Sequence, residues 1–526
     1  MLKRFVFTAV ELGFFLALLS MVVGGCNSPQ NAQPGRSPSQ ESQADDAGAA
    51  GGEVASYDFV SLGSPSGSDT QEGEAAMAEE VAGEDGLSDT PLIPREVLFG
   101  DPQRAQARLS PDGKWLSFLA PVPNGQGQDI LNVWVAPADD LDSAVPVTDD
   151  KVRPISSHSW AYDSKHILYN QDKGGDENFH LYATNVETKE TKDLTPIDGV
   201  RGELQERSEQ FPGELLIGFN DRDPRLHDIY RVNIATGERK LVQENPGVAG
   251  FLTDDDFNVR LAVNYTPEGG QVWLKPQGEP GEKGYEDWRP TEEFTAADAM
   301  TSGPAGFDKT GRILYFQDSR DRNTSGLFSK NLDTDEVKLI AEDSRTDVGG
   351  ILAHPTEKNL QAVSFTYSRT EWKVLDPTIQ ADIDYLKDFQ DGEFIVTSRT
   401  LDDTQWTVAF VLDNGPVKFY RYYRPGTGGP GERRMEFLFN NRDDLDEYPL
   451  VKMHTPVLKS RDGLDLVSYL SLPPGSDPDA DGRPDKPVPM VLEVHGGPWA
   501  RDGWGLNAHH QWLANRGYAV LSVNYR

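Results

Sequence analysis

MVLEVHGGPWARDGWGLNAHHQWLANRGYAVLSVNYR, residues 490–526, is the stretch from which the fold can be read. Met490, Val491, Leu492 and Val494 form an apolar run that feeds straight into His495-Gly496-Gly497-Pro498. A stretch with helical patterning passes through Trp512 and Leu513 and closes at Gly517; a second apolar run, residues 518–523, begins at once. Strand, glycine loop, helix and strand, in that order, open a doubly wound α/β sheet. Just upstream, residues 451–475 read as two strands around the turn Ser460-Arg461-Asp462-Gly463. They are expected to be the antiparallel edge of the same sheet.

A glycine loop after such a strand is where α/β-hydrolases aim backbone N–H groups at a developing oxyanion. By position the donor is the N–H of Gly497, with Gly496 allowing the tight turn. In this fold the nucleophile, acid and base follow in the order Ser, Asp, His, and no G-x-S-x-G occurs in the sequence. Gly63-Ser64-Pro65-Ser66-Gly67 imitates the outline but has proline at its centre. His509 and His510 precede any nucleophile and read as solvent or interface positions; His495 reads as a residue that shapes the loop. None of a triad is therefore expected within these residues. Completing the sheet takes several further βα units of roughly 30 residues each, so the chain is expected to be a C-terminally truncated piece of a longer protein.

Working back from that end, residues 95–450 change character to short strands broken by Asp, Gly, Asn and Pro turns. One phrase recurs as Ser110-Pro111-Asp112-Gly113 before Trp115, Ala161-Tyr162-Asp163-Ser164 before His166, and Asp308-Lys309-Thr310-Gly311 before Ile313. Each is a tight turn launching an apolar strand. A second phrase, an alternating strand closing on Asn185, Asn233 or Asn331 and followed by a polar turn, marks hairpins. Repeats of this kind are the signature of a β-propeller of four-stranded blades. The span of 356 residues gives about 51 per blade for seven blades, and eight also fit. No helical pattern of any length is read inside this region, which favours the propeller over a β-sandwich.

The HGGP loop, the ending Val523-Asn524-Tyr525-Arg526, and Pro94-Arg95-Glu96-Val97-Leu98-Phe99-Gly100 ahead of the first propeller phrase together resemble the prolyl oligopeptidase family of serine peptidases. The nearest branch is that of the acylaminoacyl-peptidases and dipeptidyl-peptidases. The resemblance spans roughly residues 92–526. It implies a propeller stacked on an α/β-hydrolase domain (here residues 451–526, incomplete), a Ser-Asp-His triad cleaving short peptides, and a propeller that limits access. Two other readings compete with it. One is a lipid-anchored propeller that only binds partners; the other is an esterase or lipase behind the same loop.

The N-terminus reads as an address. Lys3 and Arg4 precede an apolar stretch, residues 5–23, and Val23-Gly24-Gly25-Cys26 follows. This resembles a bacterial lipoprotein signal, residues 1–26, with Cys26 the lipidated residue after cleavage. The expected setting is the cell envelope, anchored on its periplasmic or extracellular face. Cys26 is the single cysteine, so neither a disulfide nor a thiolate site can form within one chain. Residues 27–94 hold 13 acidic residues and one basic residue; with little apolar surface to bury, they are expected to be a disordered tether. The formal net charge of −35 argues against a nucleic-acid partner. No nucleotide loop, haem motif or zinc spacing is present, and no cofactor is expected. Asp477, Asp479 and Asp481 with Gly482 match the first half of a calcium loop, but Val488 stands where the bidentate acid is required. An acidic solvated turn is the simpler reading.

Overall fold

The computed structural model describes residues 90–525, apart from 283, 286, 426–431, 498 and 499. Cys26, the signal and nearly all of the tether lie outside the described residues. Between Ala105 and Asn440, seven antiparallel sheets succeed one another in chain order, six of four strands and one of three. The first strands of the first and second sheets touch, as do those of the third and fourth, and the first strand of the last sheet returns to that of the first. There Thr397 Oγ1 donates to Ala107 O at 2.8 Å, Ser398 Oγ accepts the N–H of Leu109 at 2.8 Å, and the N–H of Leu401 reaches Pro111 O at 2.9 Å. Leu116 and Phe118 of the first sheet share one core with Ala409, Phe419 and Phe439 of the last. This is the arrangement of a propeller. Among the described residues each sheet is built wholly from consecutive strands.

The recurring phrases are turns of one design. Gly113, Ser164 and Gly311 take positive φ of 72°, 57° and 66°, and each returns its N–H to the carbonyl three residues back. The same turn recurs where its spelling hides it, at Asp254 to Phe257 and Thr400 to Asp403, with Phe257 at φ 64° and Asp403 at φ 55°. In the hairpin phrase the side chains of Asn185, Asn233 and Asn331 accept N–H groups two or three residues ahead. The chain then turns back through Lys189, Gly237 and Asp335, all left-handed. Asparagine at the first position satisfies the turn locally, and so the phrase repeats.

One expectation fails. A helix, Gln380–Phe389, lies within the span read as helix-free, following the three-stranded sheet whose strands are Val348–Ala353, Leu360–Thr366 and Thr370–Val374. Asp376 accepts the N–H of Thr378 at 2.9 Å and Pro377 starts the preceding turn. Ile379, Ile383 and Leu386, spaced for one helical face, are all fully buried against Trp406 and Tyr422. Asp382 faces inward from the same helix. It accepts from Tyr422 Oη at 2.6 Å, from Arg424 Nε and Nη2 at 3.0 and 2.9 Å, and from Arg433 Nε at 3.0 Å. A pattern three residues deep, with a carboxylate on its buried side, does not stand out in the sequence.

The α/β part follows. The strand Val457–Lys459 pairs antiparallel with Asp465–Ser471 around the Ser460 turn, as read from the sequence. These strands form the antiparallel edge of the sheet, as expected. Asp465–Ser471 lies antiparallel beside Ala519–Val523, and only beyond that does Met490–Glu493 pair with Ala519–Val523 in parallel, Met490 opposite Ala519. The strand–helix–strand crossover thus brings the last strand to the middle. The helix Ala508–Ala514 is capped by Asn507, whose side chain accepts the N–H groups of His509 and His510, and Gly517 at φ 89° ends the turn after it.

The two parts meet through a hairpin of the sixth sheet. Arg501 Nη1 and Nη2 donate to Thr366 O and Tyr367 O at 2.7 and 2.6 Å, and Tyr469 Oη donates to Ser368 O at 2.9 Å. Arg369 lies 3.7 Å from the centre of the Trp504 ring. Residues 91–94, assigned to the tether from the sequence, are docked here. Ile93 is fully buried with Val97, Leu98 and Leu445, and its N–H meets Asn515 Oδ1 at 2.8 Å. One isoleucine inserted in a core outweighs the polar composition around it.

Candidate oxyanion site

The loop bearing Gly496 and Gly497 leaves the carboxyl end of the parallel strand Met490–Glu493, the end at which open α/β sheets place their ligands. Gly497 has φ 144°, a region that favours glycine. Both glycines are exposed, and among the described residues neither N–H has an acceptor. An exposed, unpaired N–H at the end of a strand can receive a negatively charged oxygen.

His495 shapes this loop. Its Nδ1 donates to Gly496 O at 2.9 Å, its carbonyl accepts from Tyr525 Oη at 2.9 Å, and its ring lies 4.1 Å from that of Tyr525. Asp502 sits within electrostatic reach of His495 and Glu493, and burial lifts its carboxyl above the usual range. Asn524 holds the Asp502 backbone on both sides: Asn524 Oδ1 accepts its N–H at 2.7 Å, and Asn524 Nδ2 donates to its carbonyl at 3.2 Å.

The two histidines of the helix part company. His509 is exposed and pairs with Glu493 Oε1 at 2.6 Å, as a solvent position would. His510 is not a solvent position: its side chain is fully buried. Its Nδ1 lies 3.0 Å from Ser471 Oγ and its Nε2 2.9 Å from Ser522 Oγ, tying the helix to two strands. Desolvation pulls its pKa down to about 4, so the ring is neutral near pH 7. It has the chemistry of a structural strut.

At the acidic turn, carboxylate oxygens of Asp477, Asp479 and Asp481 lie within 4.8 Å of one another. Asp477 already accepts the N–H groups of Asp481 and Gly482 at 3.1 and 3.0 Å and faces His454 Nε2 at 3.2 Å; Asp481 accepts the N–H of Arg483 at 2.8 Å.

A propeller joined to the opening of an α/β-hydrolase, with a glycine loop at the carboxyl end of its parallel strand, defines the class. Solved structures share that fold. The puromycin-hydrolyzing peptidase of Mycobacterium tuberculosis superposes with a TM-score of 0.56 at 15% identity, over 83% of this chain and 68% of that one. An acylaminoacyl peptidase of Pyrococcus horikoshii gives 0.54 at 12% identity, over 82% and 66%. Among curated proteins the chain is 44% identical over 455 residues to dipeptidyl aminopeptidase BIII of Pseudoxanthomonas mexicana, covering 86% of this chain and 63% of the relative. It is 32% identical over 460 residues to dipeptidyl peptidase family member 6 of Caenorhabditis elegans, covering 83% and 60%. No family model matches. The similarity is to peptidases of the prolyl oligopeptidase family, and the chain spans about three-fifths of the length of the curated relatives it matches.

Proposed function

We propose that this chain is the propeller, counted as seven blades over residues 95–450, and the opening of the hydrolase domain, residues 451–526, of a serine peptidase that hydrolyses short peptides by Ser-Asp-His acyl transfer. The observation that carries the proposal is the Gly497 N–H at the end of a parallel strand, without an acceptor among the described residues, in a chain 44% identical to a dipeptidyl aminopeptidase. Gly497 supplies one oxyanion donor and Gly496 the freedom of the turn. The residue after the nucleophile supplies the second donor. The proposal assigns the nucleophile and its partners to the length by which the relatives exceed this chain. The propeller restricts entry to short or unfolded peptides.

The test is covalent labelling of the protein expressed from its whole reading frame. A fluorophosphonate probe is expected to label one serine, and blocking that serine to abolish release of dipeptides from an unblocked amino terminus. A protein that ignores the probe would overturn the proposal. We also propose that Cys26 carries a lipid that holds the protein in the bacterial envelope, on the pattern of residues 1–26. Metabolic labelling with palmitate, lost in Cys26→Ala, tests that anchor.

A further inference from the structure

Turns between the first and second strands of non-adjacent sheets bring charged side chains together. Lys358 of the sixth sheet reaches Glu209 of the third at 3.7 Å and Asp255 of the fourth at 3.4 Å. These contacts span a common axis. Elsewhere the balance of charge is different. Arg108, on the first strand of the first sheet, donates from Nη1 to Thr397 O at 2.8 Å, while its Nε is buried with no hydrogen-bond partner. Arg207 of the third sheet lies within electrostatic reach, and burial together with that like charge lowers its pKa to about 10.

Trp160 holds the two arginines at one place. Its indole N–H donates to Arg108 O at 3.3 Å, and its own carbonyl accepts from Arg207 Nη1 at 2.7 Å. The Arg207 guanidinium lies 5.6 Å from the ring centre of Tyr162, and Tyr162 in turn lines a cavity of about 840 Å3 shared with Pro111, Lys165 and Leu401. Asp112, Asp163 and Asp402 also line it. Each accepts an N–H of its own turn. Two further polar atoms near Arg108 are buried and unpaired, Gln106 Oε1 and His158 Nδ1. The Nε2 of that histidine is taken by Ser117 Oγ at 2.8 Å, and Ser117 Oγ also reaches Arg108 O.

A guanidinium removed from water without a counter-ion is costly, and planar donors in a fork match a carboxylate. We propose that Arg108 and Arg207 form a subsite inside the propeller for the carboxylate of a peptide. The site would take one carboxylate between the two guanidinium groups, with Arg108 Nε, now unpaired, among the donors. For the identity of its ligand this inference rests on the peptidase reading. It adds that the propeller selects peptides by their charge as well as excluding bulky ones.

The test is isothermal titration of the full-length protein with a non-cleavable reduced-amide tripeptide in three forms. The forms carry a free terminal carboxylate, a terminal carboxamide, or a carboxamide with a glutamate side chain. The free acid is expected to bind about 10- to 100-fold more tightly than the plain carboxamide, the range of a charge-assisted hydrogen bond. Arg207→Met is expected to erase the difference and Arg207→Lys to restore part of it. Recovery of affinity by the glutamate form would assign the site to side-chain carboxylates and would support the same subsite. Acid and amide binding equally well, no binding of any form, or a difference that survives Arg207→Met would overturn it. Arg207→Met is preferred to Arg108→Met because Arg108 also bonds the last sheet to the first. Since binding is read without hydrolysis, an Arg207-dependent difference in a protein inert to fluorophosphonate would refute the peptidase reading and leave the subsite standing.

Discussion

Replacing Gly497 with proline removes the N–H proposed to hold the oxyanion and forces φ to about −65°, where the structure has 144°. The loop around it is exposed, and among the described residues the N–H makes no hydrogen bond that folding would lose. Refitting an exposed loop to that φ should cost about 1–3 kcal/mol, a fall in Tm of only a few degrees. Catalysis should not be spared. Loss of one preorganised donor costs about 3 kcal/mol of barrier, or about a hundredfold in rate. In a dipeptidyl-p-nitroanilide assay of the full-length enzyme, kcat should fall by that factor with KM little changed, because the donor acts on the transition state. Gly497→Ala separates geometry from donor: it keeps the N–H at a strained φ and should lose less. If kcat of the proline variant stayed within threefold of the parent, Gly497 would have no oxyanion role. If Tm fell by 10 °C, the loop would be structural and the kinetic argument void.

Asp382→Ala strips a buried carboxylate from Arg424 and Arg433 and should destabilise the propeller by about 3–5 kcal/mol, read as earlier hydrogen exchange in residues 380–389. Leu386→Ala, fully buried on the same helix, should cost about 2–5 kcal/mol in chemical denaturation. His510 titrates near 4 when folded and near 6.5 when unfolded, so below pH 6.5 the unfolded chain takes up a proton that the folded chain refuses. That group's contribution, up to about 3 kcal/mol, is present above pH 6.5 and is lost as pH falls toward 4. His510→Gln should flatten the stability profile in that window.

The strand, loop and helix around Gly496 and Gly497 were legible because apolar runs and glycines are local signals. The order of strands in that sheet was not, since pairing Ala519–Val523 between its neighbours is a long-range choice. The turn phrases were found where glycine or serine marks the left-handed residue and missed where phenylalanine takes it, as at Phe257. Helix Gln380–Phe389 escaped because its inward side includes Asp382, whose burial makes sense only beside Arg424 and Tyr422, some forty residues on. His510 and His509 are adjacent letters with opposite fates, decided by which side of a seven-residue helix meets the sheet.

That every sheet is completed by consecutive strands has a kinetic consequence. All strand pairing in the propeller is between chain neighbours, so each sheet can form early and independently at small entropic cost. The junction of the first sheet with the last, including residues 107–111 with 397–401 and Arg421 with Ala138, waits on the whole length between. Closure of the ring is then the last event of folding and the first lost under denaturant, with amides at that seam exchanging well ahead of those within any one sheet.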